Sequence, residues 1–378
     1  MQILSYQYNG TNEATWKFSK VEFGKVNLLV GDTGTGKTKF LNTIFNLGLS
    51  AVKKELGHSG SWDIVTIIGK NKYRWVFETV FDNDQNVKVV TDNLYSIDDN
   101  EKEHAIVLRN SKSFLFNNTD LPKLSQRESS ISLLQHEKDI NPIFKGFGSI
   151  MRRSFFENVL QQNAAYQPMS PNLLTQLRKE KDIEKIFHYA DLNLNIKLFL
   201  LSENFKNIFQ KIVVNYKAVF PFIADIKMLE LSDIKKDISS PGITPVFCFK
   251  EKNMSNWIDS GEMSSGMLKV LIILTDVFLL PEGGIYLIDE YENSLGMNAI
   301  DFLPSFLLSY ENSSQFIITS HHPYIINKIP VENWYIFHRK GTETTIQYGD
   351  TLKSRFGKSK QQAFIQLIND PFFSKGVE

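Results

Sequence analysis

The run Gly31-Asp32-Thr33-Gly34-Thr35-Gly36-Lys37-Thr38 has the spacing G-x-x-x-x-G-K-[ST], and each residue type in it suits the handling of phosphate. Glycines let the backbone wrap closely around an anion with its N–H groups turned inward. A helix starting at Gly36 would aim its positive end at the same place. Lys37 is spaced to reach the β and γ phosphates of a nucleotide, and the Thr38 hydroxyl to ligate Mg²⁺.

Three further patterns lie far along the chain. Ile285-Tyr286-Leu287-Ile288-Asp289-Glu290 is an apolar strand ending in two carboxylates. A parallel strand places its C-terminal end at the ligand crevice. Asp289 would there hold Mg²⁺, mostly through water, and Glu290 would polarise or orient an attacking water as general base. The next apolar run, Gln315 to Thr319, exits into Ser320-His321-His322-Pro323. A histidine just past a buried strand can donate a hydrogen bond to a γ-phosphate, and His321 is preferred to His322 for that task. Met263-Ser264-Ser265-Gly266-Met267 opens a long apolar helix shortly before the acidic strand. Ser and Gly at a helix start make a second anion site. Two molecules packed head to tail can aim this helix and the phosphate loop at one phosphate more easily than one molecule can. Each pattern also has a plain structural use: an acidic turn, a loop-capping histidine, an N-cap. Their order along one chain favours the chemical reading.

These groups require an α/β framework. Gln2 to Tyr8 and Ala14 to Ser19 read as a strand pair, and Val26 to Val30 as a strand buried on both faces apart from Asn27. The helix from about Gly36 would bury Phe40, Leu41, Ile44 and Phe45. Asp63 to Gly69, Tyr73 to Phe81 and Val87 to Thr91 read as a β meander. The middle, Gln126 to Asn215, reads as mostly helical and lacks the sustained heptads of coiled-coil arms. Strands return at Phe222 to Leu231, Thr244 to Lys250, Gly284 to Ile288, Gln315 to Thr319 and Trp334 to Phe337, with a C-terminal helix over Gln361 to Ile368. The expected organisation is therefore residues 1–125 and 216–378 building one nucleotide domain, with 126–215 inserted as a helical subdomain.

Composition narrows the classes. The 378 residues carry 42 Lys plus Arg against 42 Asp plus Glu, so no global field draws the chain to nucleic acid or an anionic membrane. One cysteine, Cys248, excludes an intrachain disulfide and a thiolate metal cluster, and its strand-like setting predicts a packed core thiol. The longest apolar stretch, Val270 to Leu280, is too short for a bilayer, and Met1 to Ser5 does not read as a signal peptide. The expected location is the cytoplasm.

The order of phosphate loop, Ser-Ser-Gly helix, Asp-Glu strand, Glu292-Asn293-Ser294-Leu295 loop and Thr319-Ser320-His321 resembles the ABC-type ATPases of the SMC and RecF group. It is more similar to bacterial AAA-type ATPases allied to the overcoming-lysogenization-defect proteins, many of which act in anti-phage defence. Those read IDE-x-E-x-S-L-H and T-T-H-S-P where this chain has Ile288-Asp289-Glu290-Tyr291-Glu292-Asn293-Ser294-Leu295-Gly296 and Thr319-Ser320-His321-His322-Pro323. The match is specific over about Val26 to Thr43 and Glu262 to Pro323; Tyr189-Ala190-Asp191-Leu192 is similar to the family's helical insert.

The resemblance implies a P-loop ABC-type ATPase head with a mixed β-sheet and an inserted helical subdomain, using ATP and Mg²⁺ and converting ATP and water to ADP and phosphate. Gly31 to Thr38 would bind the nucleotide in cis. Ser264, Ser265 and Gly266 would touch the γ-phosphate held by a partner copy, and the Asn293 to Leu295 loop would cross the seam of a homodimer or larger homo-oligomer. Thr38 and Asp289 would hold the metal, with Glu290 and His321 catalytic. Gly296 stands where the family has His. The glutamine that couples phosphate to the helical part matches either Gln126 or Gln135. Only 55 residues follow Pro323, without the Glu and Asp-x-Asp cluster of the nuclease that many relatives carry. The implied role is a nucleotide-driven switch over a separate effector, a nuclease or toxin. The alternative is a RecF-type repair ATPase that binds DNA, for which Arg152-Arg153 and Lys353, Arg355, Lys358 and Lys360 are the basic clusters. A transporter subunit is disfavoured, since no Leu-Ser-Gly-Gly-Gln run is present.

Overall fold

The strand Val26–Val30 is buried along its whole length, and its one polar side chain shows how that is tolerated. Asn27 accepts from the Gly24 amide at 2.8 Å and donates to the carbonyls of Gly24 and Phe316 at 2.9 and 3.0 Å, so both ends of its buried amide are matched. The computed structural model describes residues 1–11, 16–122, 124–155, 157–188, 192–237, 242–352 and 360–377.

Among these residues the strands are β1 (Gln2–Asn9), β2 (Lys17–Glu22), β3 (Val26–Val30), β4 (Gly60–Ile68), β5 (Asn71–Phe81), β6 (Val87–Ile97), β7 (Glu103–Asn110), β8 (Phe114–Phe116), β9 (Thr119–Asp120), β10 (Ile150–Ser154), β11 (Ile223–Glu230), β12 (Pro245–Glu251), β13 (Ile258–Asp259), β14 (Ile285–Asp289), β15 (Gln315–Thr319), β16 (Trp334–Lys340) and β17 (Glu343–Tyr348). One mixed sheet has the order β10-β14-β15-β3-β16-β17-β2-β1-β4-β5-β6-β7-β8-β9. The neighbours β14, β15, β3 and β16 run parallel. From β1 through β4 to β9 the sheet is an antiparallel meander. The α/β class and the mixed sheet are as the sequence predicts.

The chain divides into two compact units. The first holds residues 1–153, 282–291 and 307–378; the second holds 154–281 and 292–306. In the first, the helix Lys37–Val52 buries Phe40, Leu41, Ile44, Leu47 and Ala51 in a core shared with Trp62, Trp75 and Phe77 of the meander. Gln315, fully buried, clamps the N-terminal strand, accepting from the Ile3 amide and donating to the Ile3 and Gly24 carbonyls.

The expected boundaries at 125/126 and 215/216 do not coincide with these units. Residues 126–153 lie in the first unit because they supply Ile131, Ile140, Ile143, Phe147 and Ile150 to its core. Buried Asp92 on β6 also accepts from the Ser130 amide and hydroxyl at 2.6 and 2.8 Å. Ile150–Ser154, within a stretch expected to be mostly helical, is the strand next to β14; a β-branched start beside a fully buried apolar strand outweighs the helical character of its surroundings. Residues 216–281 lie in the second unit because β11, β12 and β13 pair only with each other.

In that second unit the helix Leu194–Asn204 is buried from Leu194 to Leu201. Cys248 sits on β12 with no exposed surface, and burial pushes its thiol up to about 12. No described helix is long and apolar enough to cross a membrane. Ala14, Tyr189 to Asp191, Lys353, Arg355 and Lys358 lie outside the described residues.

Candidate functional site

Parallel pairing of β3, β14 and β15 brings their C-terminal ends to one edge of the sheet. The residues at or just past those ends are the phosphate loop, Asp289-Glu290, and Thr319 to His321. Lys37, Thr38, Glu290, Thr319 and His321 line one cavity of about 750 Å³. Gln126 and Gln135 are not among its lining residues.

The loop takes its shape from glycine. Gly34 and Gly36 have φ of 87° and 98°, where a side chain is strained, and a Cβ on Gly36 would run into the Trp16 ring. Gly36 leaves the start of helix Lys37–Val52 without a side-chain cap, and its first turn holds no acidic residue. A helix start with neither a side-chain cap nor an acidic residue is suited to an anion. Lys37 is 5% exposed; its ammonium donates to the carbonyls of Gly31 and Asp32 at 2.7 and 2.9 Å. Those bonds close the loop on itself and hold the charge at its centre.

Asp289 is the hub of the second group. Its Oδ1 accepts from the Thr38 hydroxyl at 3.1 Å and from the Thr319 hydroxyl at 2.8 Å. The Thr319 oxygen in turn accepts from the Glu290 amide at 2.8 Å. One β15 side chain thus fixes both carboxylate residues at the end of β14. Thr319 was legible in the sequence only as part of a Thr-Ser-His run, and its bridging role needs the neighbouring strand. Glu290 has a φ of 49°, a left-handed conformation uncommon for a non-glycine residue. Arg152, on β10, places Nη2 3.4 Å from the second oxygen of Asp289. The sequence offered Arg152 as part of a basic surface cluster; its carboxylate partner becomes visible only when β10 lies beside β14.

The two adjacent histidines diverge. The His322 ring caps the helix Pro323–Lys328 by accepting from the Tyr324 amide, whereas His321 lines the cavity. Trp16, Lys39 and Arg339 also line the cavity and were not anticipated. The Trp16 ring has the Arg339 guanidinium at 4.7 Å and the Lys39 ammonium at 5.2 Å from its centroid, a platform on which a base could stack. A lone tryptophan ahead of a strand has no diagnostic spacing, so nothing in the sequence marked it.

In the second unit, Ser264 caps the helix Ser265–Leu279, its hydroxyl oxygen accepting from the Met267 amide. Ser264 and Ser265 are exposed. A Cβ on Gly266 would strike the Ser294 carbonyl, and buried Lys269 donates to the Asn293 carbonyl at 2.8 Å. Gly266 therefore lets the loop after the acidic strand lie directly on the helix start. Asp259, 1% exposed, accepts from the Gly261 amide and Tyr166 hydroxyl at 2.8 and 2.7 Å and pairs with Lys235 at 2.9 Å.

Residues 26–327 match the family model described as "AAA domain, putative AbiEii toxin, Type IV TA system". The chain belongs to this family. The AAA domain carries an ATPase fold of the SMC-head type. An Smc head domain with an extended coiled coil, bound to the C-terminal domain of ScpA and derived from Pyrococcus furiosus, aligns at 12% identity with a TM-score of 0.51, over 94% of this chain and 98% of that one. The SMC head domain from Thermotoga maritima aligns at 12% identity and a TM-score of 0.42, over 92% and 99%. No curated protein matches the chain.

The residues of this AAA domain fit Mg²⁺ with a nucleotide. A hydroxyl and a carboxylate, both hard oxygen donors, meet at 3.1 Å beside the phosphate loop. Among the described residues no group of three His, Cys, Asp or Glu converges as a metal cage. Magnesium typically takes one or two protein oxygens and completes its shell with phosphate and water.

Proposed function

We propose that the chain binds ATP with Mg²⁺ at the phosphate loop, hydrolyses it, and uses it to pair two copies head to tail. Pairing controls a separate effector, a nuclease or toxin, in the cytoplasm as part of bacterial anti-phage defence. The observation that carries the reading is the convergence of Lys37, Thr38, Glu290, Thr319 and His321 on one cavity.

The arrangement supports hydrolysis in the following way. Loop amides and Lys37 would hold the phosphates, and Thr38 and Asp289 would hold Mg²⁺, whose positive charge would offset that of the phosphate oxygens. Glu290 takes a proton from water as its oxygen bonds to the γ-phosphorus. The bridging bond breaks and its electron pair stays on the β-phosphate oxygen of ADP. His321 donates a hydrogen bond to the departing phosphate. Ser264, Ser265 and Gly266, exposed or half-exposed at a helix start, would contact the γ-phosphate held by the partner copy. The family description, with its AbiEii toxin and Type IV TA system, supports a toxic effector beside the ATPase. The repair reading loses ground because Arg152 is paired with Asp289.

The test is the solution mass of Glu290→Gln by light scattering, with and without Mg-ATP. This change should keep binding and stall hydrolysis, so the ATP-bound dimer accumulates. A mass that doubles only with Mg-ATP is the expected result. A mass of about one 43.5 kDa chain in both conditions would remove the pairing switch.

A further inference from the structure

Arg152 is placed where a metal-binding carboxylate would otherwise face only neutral donors. Asp289 is 4% exposed. Its Oδ1 is taken by the Thr38 and Thr319 hydroxyls, and its Oδ2 faces Arg152 Nη2 at 3.4 Å. The Arg152 Nε is buried and has no hydrogen-bond partner. A guanidinium whose Nε is unmatched and whose contact with the carboxylate is long is not a finished bidentate pair, which would bring two N–H groups to about 2.8 Å. It is a cation stationed at the carboxylate with hydrogen-bonding capacity to spare.

We propose that Arg152 is a positioning residue that competes with the divalent cation for Asp289. It balances the buried carboxylate when the metal is away and must give way when the metal arrives with nucleotide. The inference rests on the assignment of Asp289 to Mg²⁺. Two cations cannot share one buried carboxylate without repulsion, because the low-dielectric surroundings screen them weakly. Arg152 therefore sets the Mg²⁺ concentration at which nucleotide is held tightly.

The experiment is a titration of a fluorescent ADP, which is not consumed, into the full chain across a Mg²⁺ series and in excess EDTA. Arg152→Gln should lower the Mg²⁺ midpoint for tight ADP binding about tenfold, equivalent to about 1.4 kcal/mol. Arg152→Lys, which keeps the charge, should stay within about threefold of the wild type. Arg152→Met gives the same reading as Gln should the Gln form not fold. A merely structural arginine would lower the melting temperature and leave the midpoint in place, and that result overturns the proposal. So does a loss of ADP affinity at every Mg²⁺ concentration including EDTA, which would make Arg152 a phosphate ligand. Wild type that binds no ADP under any condition would bring down the nucleotide assignment itself, whereas normal wild-type binding with an unmoved variant midpoint removes only the role of Arg152.

Discussion

Thr319 shows how much one hydroxyl can organise. It donates to Asp289 and accepts from the Glu290 amide, so it positions the proposed metal ligand and holds the proposed general base in its left-handed backbone. Such a conformation costs about 1–3 kcal/mol and persists only where neighbours over-determine it. Thr319→Val keeps the shape and removes both bonds. We expect it to destabilise the fold by about 1–3 kcal/mol, the usual cost of a buried group left unmatched. Turnover should fall more than tenfold, while ADP affinity stays within about threefold, because the phosphate loop is untouched. Steady-state kinetics beside ADP titration separates these; a loss of affinity with full turnover would place Thr319 in binding instead. Motif spacing made Lys37, Asp289 and Glu290 legible in the sequence, since each has a fixed chemical task at a fixed offset. Thr319, Arg152 and Trp16 were not legible in these roles, because each acts through a residue distant in the chain.

At the scale of elements, the helix Ser265–Leu279 and the loop at Asn293 to Leu295 form one piece. Gly266 admits the Ser294 carbonyl, and Lys269 holds the carbonyl of Asn293. The sequence reading gave Gly266 a role toward a partner's phosphate; the packing adds a second reason for glycine there. Gly266→Ala should cost about 1–3 kcal/mol through overpacking, read as a fall in melting temperature. It should leave the ADP affinity of the phosphate loop unchanged and weaken Mg-ATP-driven pairing. Unchanged stability would show that the loop yields freely. The strand β10 is the element that local sequence hid. Its pattern Ile150-Met151-Arg152-Arg153-Ser154 alternates too little to announce a strand, and only the vacant edge of β14 makes it one.

For the whole molecule, the decisive question is whether one site needs two chains. Lys37→Ala disables the phosphate loop, and Ser264→Arg blocks the second anion site while sparing the first. Each alone should be inactive. Mixed in equal amounts, they form heterodimers in which one of the two composite sites is intact, so roughly a quarter of wild-type activity returns if pairing is random and about half is the most that can return. Recovery of phosphate release on mixing supports head-to-tail pairing; no recovery, with each variant folded and Ser264→Arg still binding ATP, would show that the Ser264 helix does not serve a partner's phosphate.

The sequence by itself marked the groups on which the proposed chemistry rests. A Gly-rich loop followed by Lys and Thr, an apolar strand ending in Asp-Glu, and a strand ending near His suit the phosphate and metal handling proposed for them, because backbone freedom, charge and strand polarity are local properties. The α/β class followed from the same strands, each identifiable by its continuous apolar run. What only the tertiary structure decided was which distant groups share a place. Strand order brings Arg152 to Asp289 and Thr319 to Glu290, and core burial assigns residues 126–153 to the first unit. Those outcomes depend on long-range pairing, where competing arrangements differ by the fit of whole surfaces and not by the preference of any one residue.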